Sequence, residues 1–174
     1  MRTICYSVAM SLDGYIAGPR GEYDWIIMDP EIDFMAMMAR FDTVLMGRKS
    51  FEMSLQMPGG GTMPGMQCIV VSSTLKQAKY PGVTIVKENL EATVKKLRKQ
   101  AGKEIWLFGG GELFRSLLEI GQVQRVEVAI IPVLLGSGIR FLPGLAKKKR
   151  LKLIEAKTYQ KTGIQLLSYE VRSR

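Results

Sequence analysis

Apolar runs of four to eight residues recur along the chain, separated by segments that are polar or that place apolar residues at helical spacing. The apolar, β-branched runs predict buried strands, and the segments between them predict helices. Strands are predicted at residues 3–10, 43–46, 67–73, 83–86, 104–108 and 124–131, and helices at residues 31–40, 49–55, 90–101 and 112–119. Because strands and helices alternate, we expect parallel strand pairing and a sheet covered on both faces.

The end of the chain follows a different pattern. Residues 151–161 and 164–172 predict two strands of a hairpin that turns at Thr162-Gly163. We predict one α/β domain over residues 1–174, with three layers, a mixed and mostly parallel sheet, and an antiparallel C-terminal hairpin. Residues 11–30 and 57–66 are predicted loops, and a loop as long as the first usually serves a site.

The composition limits the chemistry that this chain can carry out. The chain has 174 residues, two cysteines and no histidine. Without an imidazole there is no Ser-His-Asp relay, no Cys-His pair and no HExxH zinc site, and no metal site is expected. Cys5 and Cys68 are 63 residues apart without metal-ligand spacing. They predict two buried free thiols, although a disulfide is compatible with the sequence.

Positive charge is concentrated in the later part of the chain. Lys and Arg number 25 against 16 Asp and Glu, and residues 53–174 hold 20 of these bases with eight acids. Residues 95–103 and 147–152 contain basic clusters that could attract an anionic partner. Neither cluster is interleaved with the aromatic residues that stack bases, so solvated faces of a helix and a turn are the simpler interpretation. We therefore do not expect nucleic acid as a partner.

The first ten residues superficially resemble a signal peptide. Ser7 interrupts their apolar run, and Asp13-Gly14 follows at once, so we interpret them as a buried first strand and predict a cytoplasmic protein. The longest apolar stretch, residues 128–135, contains Pro132 and falls far short of the roughly 20 residues that a membrane helix needs. A membrane is not an expected partner.

Three predicted strands end in glycine-rich or polar segments at the same edge of the sheet. These segments are Gly47-Arg48-Lys49-Ser50, Ser72-Ser73 and Gly109-Gly110-Gly111. Ligands of open α/β sheets bind at the C-terminal ends of parallel strands, where a glycine run exposes backbone N–H groups at a helix N-terminus. The combination predicts a site for the pyrophosphate group of a nucleotide.

Other residues of these segments indicate which nucleotide is bound. Arg48 and Lys49, with the serine hydroxyls, are donors for a further phosphate. The first two segments have no acidic residue to bind a ribose diol, so the residues favour NADPH over NADH. The chain has no GxxxxGK[ST] motif, which argues against ATP hydrolysis.

These segments, in this order, resemble the dihydrofolate-reductase-like superfamily, and most closely its bacterial branch related to the reductase domain of riboflavin biosynthesis. The resemblance rests on residues 11–19, 24–25, 42–52, 71–75, 107–113 and 132–138, and it covers residues 4–143. It implies NADPH as hydride donor, a small heterocyclic substrate and a homodimer. Apolar residues within 126–135 could form the dimer interface or simply a buried central strand.

The resemblance also implies which residues contact the cofactor. At the nicotinamide end they are Ala9, Ile16 and Ala17, with Trp25 bordering cofactor and substrate or else anchoring a loop in the core. Phosphate and adenine contacts correspond to Gly47, Arg48, Lys49, Ser50, Ser72 and Ser73. The pyrophosphate loop corresponds to Gly109, Gly110, Gly111, Glu112, Leu113 and Phe114, and Phe108 immediately before it is a further cofactor contact.

Catalytic candidates are the carboxylates near the first helix. Folate-reducing members carry a carboxylate at the start of that helix, where Glu31 falls, with Asp33 two residues on. Either could bind an N–C–N edge and relay a proton, or could simply favour the helix dipole. Asp13, in the mobile-loop position, is a third candidate that could instead stabilise a turn. Riboflavin-pathway reductases carry a substrate-binding glutamate where this chain has Phe108, which argues against a ribosylamino-pyrimidine substrate.

Residues and resemblance together predict an NADPH-dependent oxidoreductase that transfers a hydride to a C=N or C=O bond of a pterin- or pyrimidine-like heterocycle. The Met-rich residues 57–66 could form part of an adaptable substrate wall. Two other interpretations are a nucleotide-binding sensor without turnover and a basic nucleic-acid-binding module.

Overall fold

The computed structural model describes residues 1–57 and 63–172. Its strands are β1 (Ile4–Ser11), β2 (Tyr15–Ala17), β3 (Phe41–Gly47), β4 (Gln67–Val71), β5 (Val83–Val86), β6 (Glu104–Gly109), β7 (Arg125–Ile131), β8 (Ile139–Arg140), β9 (Leu151–Tyr159) and β10 (Ile164–Val171). The helices are α1 (Phe34–Met38), α2 (Arg48–Ser54), α3 (Leu90–Lys99) and α4 (Gly111–Glu119), with a short 3₁₀ helix at Gln77–Lys79.

Eight strands form one sheet in the order β5-β4-β3-β6-β1-β7-β10-β9. The first six strands of that order pair in parallel, whereas β10 runs antiparallel to both β7 and β9. Strands β2 and β8 form a separate two-stranded ribbon. The predicted architecture, a mainly parallel sheet that ends in an antiparallel hairpin, is therefore confirmed.

Side chains from the two faces of the sheet form separate apolar clusters. On one face, Tyr6 stacks on Phe114 of α4 with ring centroids 3.9 Å apart, and Phe141 packs obliquely against both rings. On the other face, Phe41, Phe51 and Trp106 are buried together with Cys5 and Cys68, whose thiols are both free. The sheet is thus the middle of three layers, and both cysteines are buried as predicted.

Two local predictions were wrong. The helix expected at residues 31–40 spans only Phe34–Met38, because the Asp33 carboxylate accepts a hydrogen bond from the Ala36 N–H at 2.8 Å and so caps the helix there. The loop expected at residues 11–30 contains β2, whose pairing partner β8 is more than 100 residues away in the chain. Pairing over that separation leaves no local sequence pattern.

Within the described part of the chain, no helix combines the length and apolar character that crossing a bilayer requires.

We expect Phe114→Ala to lower the free energy of unfolding by about 3–5 kcal/mol, because it removes a fully packed aromatic ring and leaves a cavity beside Tyr6 and Phe141. The matched control is Phe34→Ala, since Phe34 is 44% exposed on α1 and should cost less than about 1 kcal/mol. Urea unfolding of the three proteins measures the difference. Similar losses in the two variants would contradict the placement of Phe114 in the core.

Candidate functional site

Two glycine-containing turns lie side by side where β3 and β6 end. The strands are parallel neighbours, and Met46 pairs with Gly109. A Cβ atom built on Gly47 would lie 3.8 Å from the Gly109 carbonyl oxygen, and one on Gly110 would lie 3.5 Å from Ser50 Oγ. The structure thus brings together two of the three segments that were predicted to form a phosphate site.

A β-bulge in β6 sets this alignment. Leu45 pairs with Leu107 but the next residue, Met46, pairs with Gly109, so Phe108 is the extra residue on the β6 side. Bulges of this kind redirect the chain next to functional sites. Here the bulge brings Gly109 level with the end of β3, and the Phe108 ring packs edge-on against Trp106 at 5.1 Å.

The N-termini of α2 and α4 open into the space between these turns, which we call the cradle and define as residues 47–50 and 109–113. Gly47 and Gly110 are the N-cap residues of α2 and α4, and neither helix has a side-chain capping bond. The first N–H groups of both helices therefore have no side-chain acceptor, which suits an anionic ligand. Arg48 and Lys49 add positive charge at the same place.

Close packing fixes the position of the α4 N-terminus. A Cβ on Gly111 would come within 2.6 Å of the Arg140 carbonyl oxygen and 2.8 Å of Pro143 Cδ. Only glycine fits between this turn and the segment that follows β8. The absence of a side chain at Gly111 is therefore a condition of the cradle's shape.

A cavity of about 1330 Å³ extends from the cradle across the face of the sheet. Its far part lies over β1, β7, β10 and β9 and is walled by α1 and the loop before it, with Ile32, Phe34 and Met37 among the apolar lining residues. We call this far part the substrate end. Of the predicted site residues, those lining the cavity are Ala9, Ile16, Ala17, Asp33, Gly47, Arg48, Lys49, Ser50, Phe108, Gly109, Gly110, Gly111, Glu112 and Leu113.

Four predicted cofactor contacts lie outside this cavity. The Phe114 side chain is buried in the core on the opposite face of the sheet. Trp25 packs against Ile131, Tyr159 and Ile164, and its indole N–H donates to the Glu22 carbonyl at 3.1 Å. Ser72 Oγ accepts the N–H groups of Thr74 and Leu75, so it stabilises its own turn, and Ser73 is exposed beside it.

The structure separates the three predicted catalytic acids. Only Asp33 lines the cavity, where it also caps α1. The exposed Glu31 side chain lies outside the lining and faces Lys161 at 3.6 Å. The Asp13 carboxylate accepts hydrogen bonds from Ser11 Oγ and from the N–H groups of Leu135 and Gly136, which together hold its pKa below the ordinary value.

The structure describes only part of residues 57–66, the segment that could form a substrate wall. Met57 lines the cavity, and Met63 and Met66 pack against the core beside α2. Residues 58–62 lie outside the described part of the chain.

The substrate end contains an ion pair that the sequence analysis did not single out. Arg40 donates to Glu127 from both terminal guanidinium nitrogens, at 2.9 and 2.6 Å, and Glu127 is buried. Burial acts to raise the pKa of Glu127, but the hydrogen bonds and charge of Arg40, with the charge of Arg125, hold it below the ordinary value. The sequence feature that could have indicated this ion pair is Glu127 itself, an acid within the otherwise apolar residues 126–131.

Glu127 belongs to a polar row that crosses four strands on the cavity face. Ser7 on β1 pairs with Glu127 on β7, Glu127 with Ser168 on β10, and Ser168 with Glu155 on β9. All four residues line the cavity. The sheet side of the substrate end thus carries a polar row among apolar side chains such as Ala129, Ile131 and Leu166.

Comparison with known proteins places the chain in a family. Residues 2–165 match the family described as RibD C-terminal domain. The chain belongs to the RibD C-terminal domain family. It is 31% identical over 176 residues to the uncharacterized protein YyaP of Bacillus subtilis, covering 95% of this chain and 94% of that protein.

Solved structures share the fold of this family member. A putative riboflavin biosynthesis protein from Shewanella sp. PV-4 is similar with a TM-score of 0.84 and 26% identity, covering 99% of this chain and all of that chain. Dihydrofolate reductase from Enterococcus faecalis, complexed with NADP(H) and RAB-propyl, is similar with a TM-score of 0.73 and 17% identity, covering 98% and 97%. The fold is therefore dihydrofolate-reductase-like.

The loop that covers the cavity of this RibD C-terminal domain is fastened to the C-terminal hairpin. The buried Asp29 accepts hydrogen bonds from the Glu31 N–H at 2.9 Å and from Thr162 Oγ at 2.7 Å. Burial acts to raise the pKa of Asp29, but these hydrogen bonds and nearby lysines keep it below the ordinary value. The loop before α1 is therefore positioned by β9 and β10.

Residues 1–57 and 63–172 contain no group of three or more His, Cys, Asp or Glu side chains arranged to hold a metal ion.

We expect Glu127→Gln to lower the free energy of unfolding at neutral pH by about 2 kcal/mol, because Arg40 loses its charged partner in a largely buried place. Since the folded-state pKa of Glu127 is lowered, this contribution is fully present above the unfolded pKa of about 4.3 and declines as the pH falls. Urea unfolding between neutral and acid pH should show the two proteins converging in acid. Glu170→Gln, an exposed change on β10, is the control, and a constant difference at all pH values would contradict this account.

Proposed function

We propose that this protein is an NADPH-dependent reductase that transfers a hydride to a C=N or C=O bond of a small heterocyclic substrate. One observation carries the proposal: the cradle of exposed backbone N–H groups and the largely apolar substrate end belong to a single cavity. A dinucleotide held by its phosphates in the cradle would extend along the cavity toward β1. Membership of a reductase-type family supports the same chemistry.

The residues of the cradle fit an anionic dinucleotide. The close approach of Gly47, Gly109 and Gly110 leaves room that a Cβ would fill, and two uncapped helix N-termini open into it. Arg48 is exposed, and within residues 1–57 and 63–172 its guanidinium pairs with the half-exposed Glu52 at 3.1 Å, so it remains accessible to a 2′-phosphate. The similarity to a dihydrofolate reductase complexed with NADP(H) supports NADPH as the ligand.

When bound, NADPH supplies the hydride, and the chain's own residues hold and shield the reacting groups. Ala9, Ile16 and Ala17 line the cavity, and the small side chains of Ala9 and Ala17 let a planar ring lie close to β1. Asp33 is the acid that we propose to orient the substrate and hold a proton, because Glu31 and Asp13 lie outside this cavity and have other partners. The loop fastened by Asp29 would exclude water.

We expect the protein to bind NADPH more tightly than NADH in fluorescence or calorimetric titrations, because Arg48 and Lys49 can neutralise the additional phosphate. Arg48→Ala should weaken NADPH binding roughly 10- to 100-fold, the effect of losing one charge-assisted hydrogen bond, and should leave NADH nearly unchanged. Lys95→Ala is the control, since Lys95 is an exposed base on α3 that pairs with Glu91. Equal losses for both nucleotides would place Arg48 away from the 2′-phosphate.

Hydride transfer is tested by following the absorbance of NADPH in the presence of small cyclic imines, heterocyclic ketones and dihydrofolate. We expect protein-dependent oxidation of NADPH with at least one of these compounds and none with Asp33→Asn. Asparagine caps a helix as well as aspartate does, so the variant should keep its stability. Tight NADPH binding without turnover of any compound would favour a nucleotide sensor over a reductase.

A further inference from the structure

We infer that β9 is the interface with a second copy of this chain: it pairs antiparallel with β9 of that copy, across a twofold axis at Ala156. The pairing does not depend on the proposed function, because it rests on the edges of the sheet and on the charges of β9. It also goes beyond that function, since the second copy adds a lysine to the rim of the substrate end.

The two edges of the main sheet differ in how they are protected. At one edge β5 has four residues, and the Gln77 side chain covers it by donating to the Val83 carbonyl and accepting the Ile85 N–H. At the other edge β9 has nine residues and is exposed at every position from 151 to 158. Within residues 1–57 and 63–172, β10 alone hydrogen-bonds to the backbone of residues 151–158. A long strand with one unpaired edge is a template for another strand.

This bare edge also carries large apolar side chains. Leu151, Leu153 and Ile154 are 43%, 52% and 54% exposed, so three such side chains lie within four residues of one strand. Clustered apolar side chains on a surface favour association. Strand β7, which the sequence left open as an interface, has no free edge, because β1 pairs with one side of it and β10 with the other. The edge open to a second copy is therefore that of β9.

Two opposite charges lie close together on β9. Glu155 lines the cavity, and Lys157, two residues on, lies on the same face of the strand. The Lys157 ammonium lies 4.4 Å from the centroid of the Tyr159 ring. The salt bridges within the described part of the chain include neither Glu155 nor Lys157. Both charges are thus available to a partner.

These charges select one register of self-pairing. With Ala156 at the twofold axis, Glu155 of each copy lies opposite Lys157 of the partner subunit. Side chains directly opposite each other are about 5 Å apart on the same face, so two ion pairs form across the interface. Moving the axis by one residue sets Glu155 against its own copy in one direction and Lys157 against its own copy in the other. Like charges directly opposite are destabilising, so both neighbouring registers are disfavoured.

This pairing has a consequence for the substrate end. Residues opposite each other in an antiparallel pair point to the same face, so the two eight-stranded sheets join with both cavities on one side. Because Glu155 lines the cavity, Lys157 of the partner subunit lies at the rim of the substrate end, opposite Glu155. The second copy therefore bounds each cavity along β9.

Charge reversal tests the register. Sedimentation velocity over a concentration series should show a dimer for the unmodified chain. Glu155→Lys and Lys157→Glu should each weaken dimerisation roughly tenfold or more, because each replaces two attractive pairs by two repulsive ones. The double variant Glu155→Lys/Lys157→Glu reverses every pair and should restore the dimer. Glu88→Lys is the matched control, since it makes the same charge change at an exposed loop position beside β5, at the opposite edge of the sheet.

Cross-linking tests the position of the axis. Ala156→Cys should form a disulfide between two copies on mild oxidation, because opposed residues of an antiparallel pair are within disulfide distance. Thr158→Cys is the control: it is equally exposed on β9, but its two copies are four positions apart along the paired strands, roughly 13 Å. The native Cys5 and Cys68 are buried and free, so they do not compete. Electrophoresis without reductant separates the cross-linked dimer from the monomer.

Four results overturn the inference. They are a monomer at every concentration up to about 100 μM, a dimer that neither single charge reversal weakens, a double variant that stays as weak as the single ones, and equal cross-linking at positions 156 and 158. Circular dichroism confirms that each variant is folded, and the cysteine variants decide the question if a single reversal unfolds the chain. None of these measurements involves NADPH, so failure of the proposed function leaves this test intact.

Discussion

The parallel pairing of β3 with β6 is the constraint on which the site depends. Strand pairing fixes the distance between two backbones, and the bulge at Phe108 fixes their register so that Gly47 and Gly109 end level. Two helices then start at adjacent points and direct their first N–H groups into one space. No single side chain creates this arrangement, since the sheet's own hydrogen bonds hold it.

The ion pair between Arg40 and Glu127 connects two parts of the chain that are distant in sequence. It joins the segment between α1 and β3 to the middle of β7. Burying a charged pair costs desolvation, and an apolar pair of the same size often stabilises a protein as well. The polar row that contains Glu127 makes one part of the cavity wall different from the apolar remainder. A bound molecule with one polar edge therefore has a preferred orientation, which a wholly apolar wall would not impose.

The edges of the cavity are held by contacts between distant parts of the chain. Asp29 binds Thr162 across 133 residues, and Asp13 binds the N–H groups of Leu135 and Gly136 across more than 120. Both carboxylates stabilise loops. An acid in a loop near a predicted site is therefore a weak indicator of catalysis, because loops also use acids to satisfy backbone N–H groups.

The sequence by itself determined the order of most strands and helices and the positions of the glycine turns, because these depend on local periodicity and on the conformational freedom of glycine. Its motifs also resembled the dihydrofolate-reductase-like superfamily, and that resemblance indicated the fold. The sequence also indicated that Gly47–Ser50 and Gly109–Gly111 face one space, since parallel strands end at a common edge. Only the tertiary structure decided that Asp33 lines the cavity whereas Glu31 and Asp13 do not, and that Arg40 and Glu127 meet. A side chain's partner depends on which distant strand lies opposite it, and that register comes from packing across the whole sheet rather than from neighbouring residues.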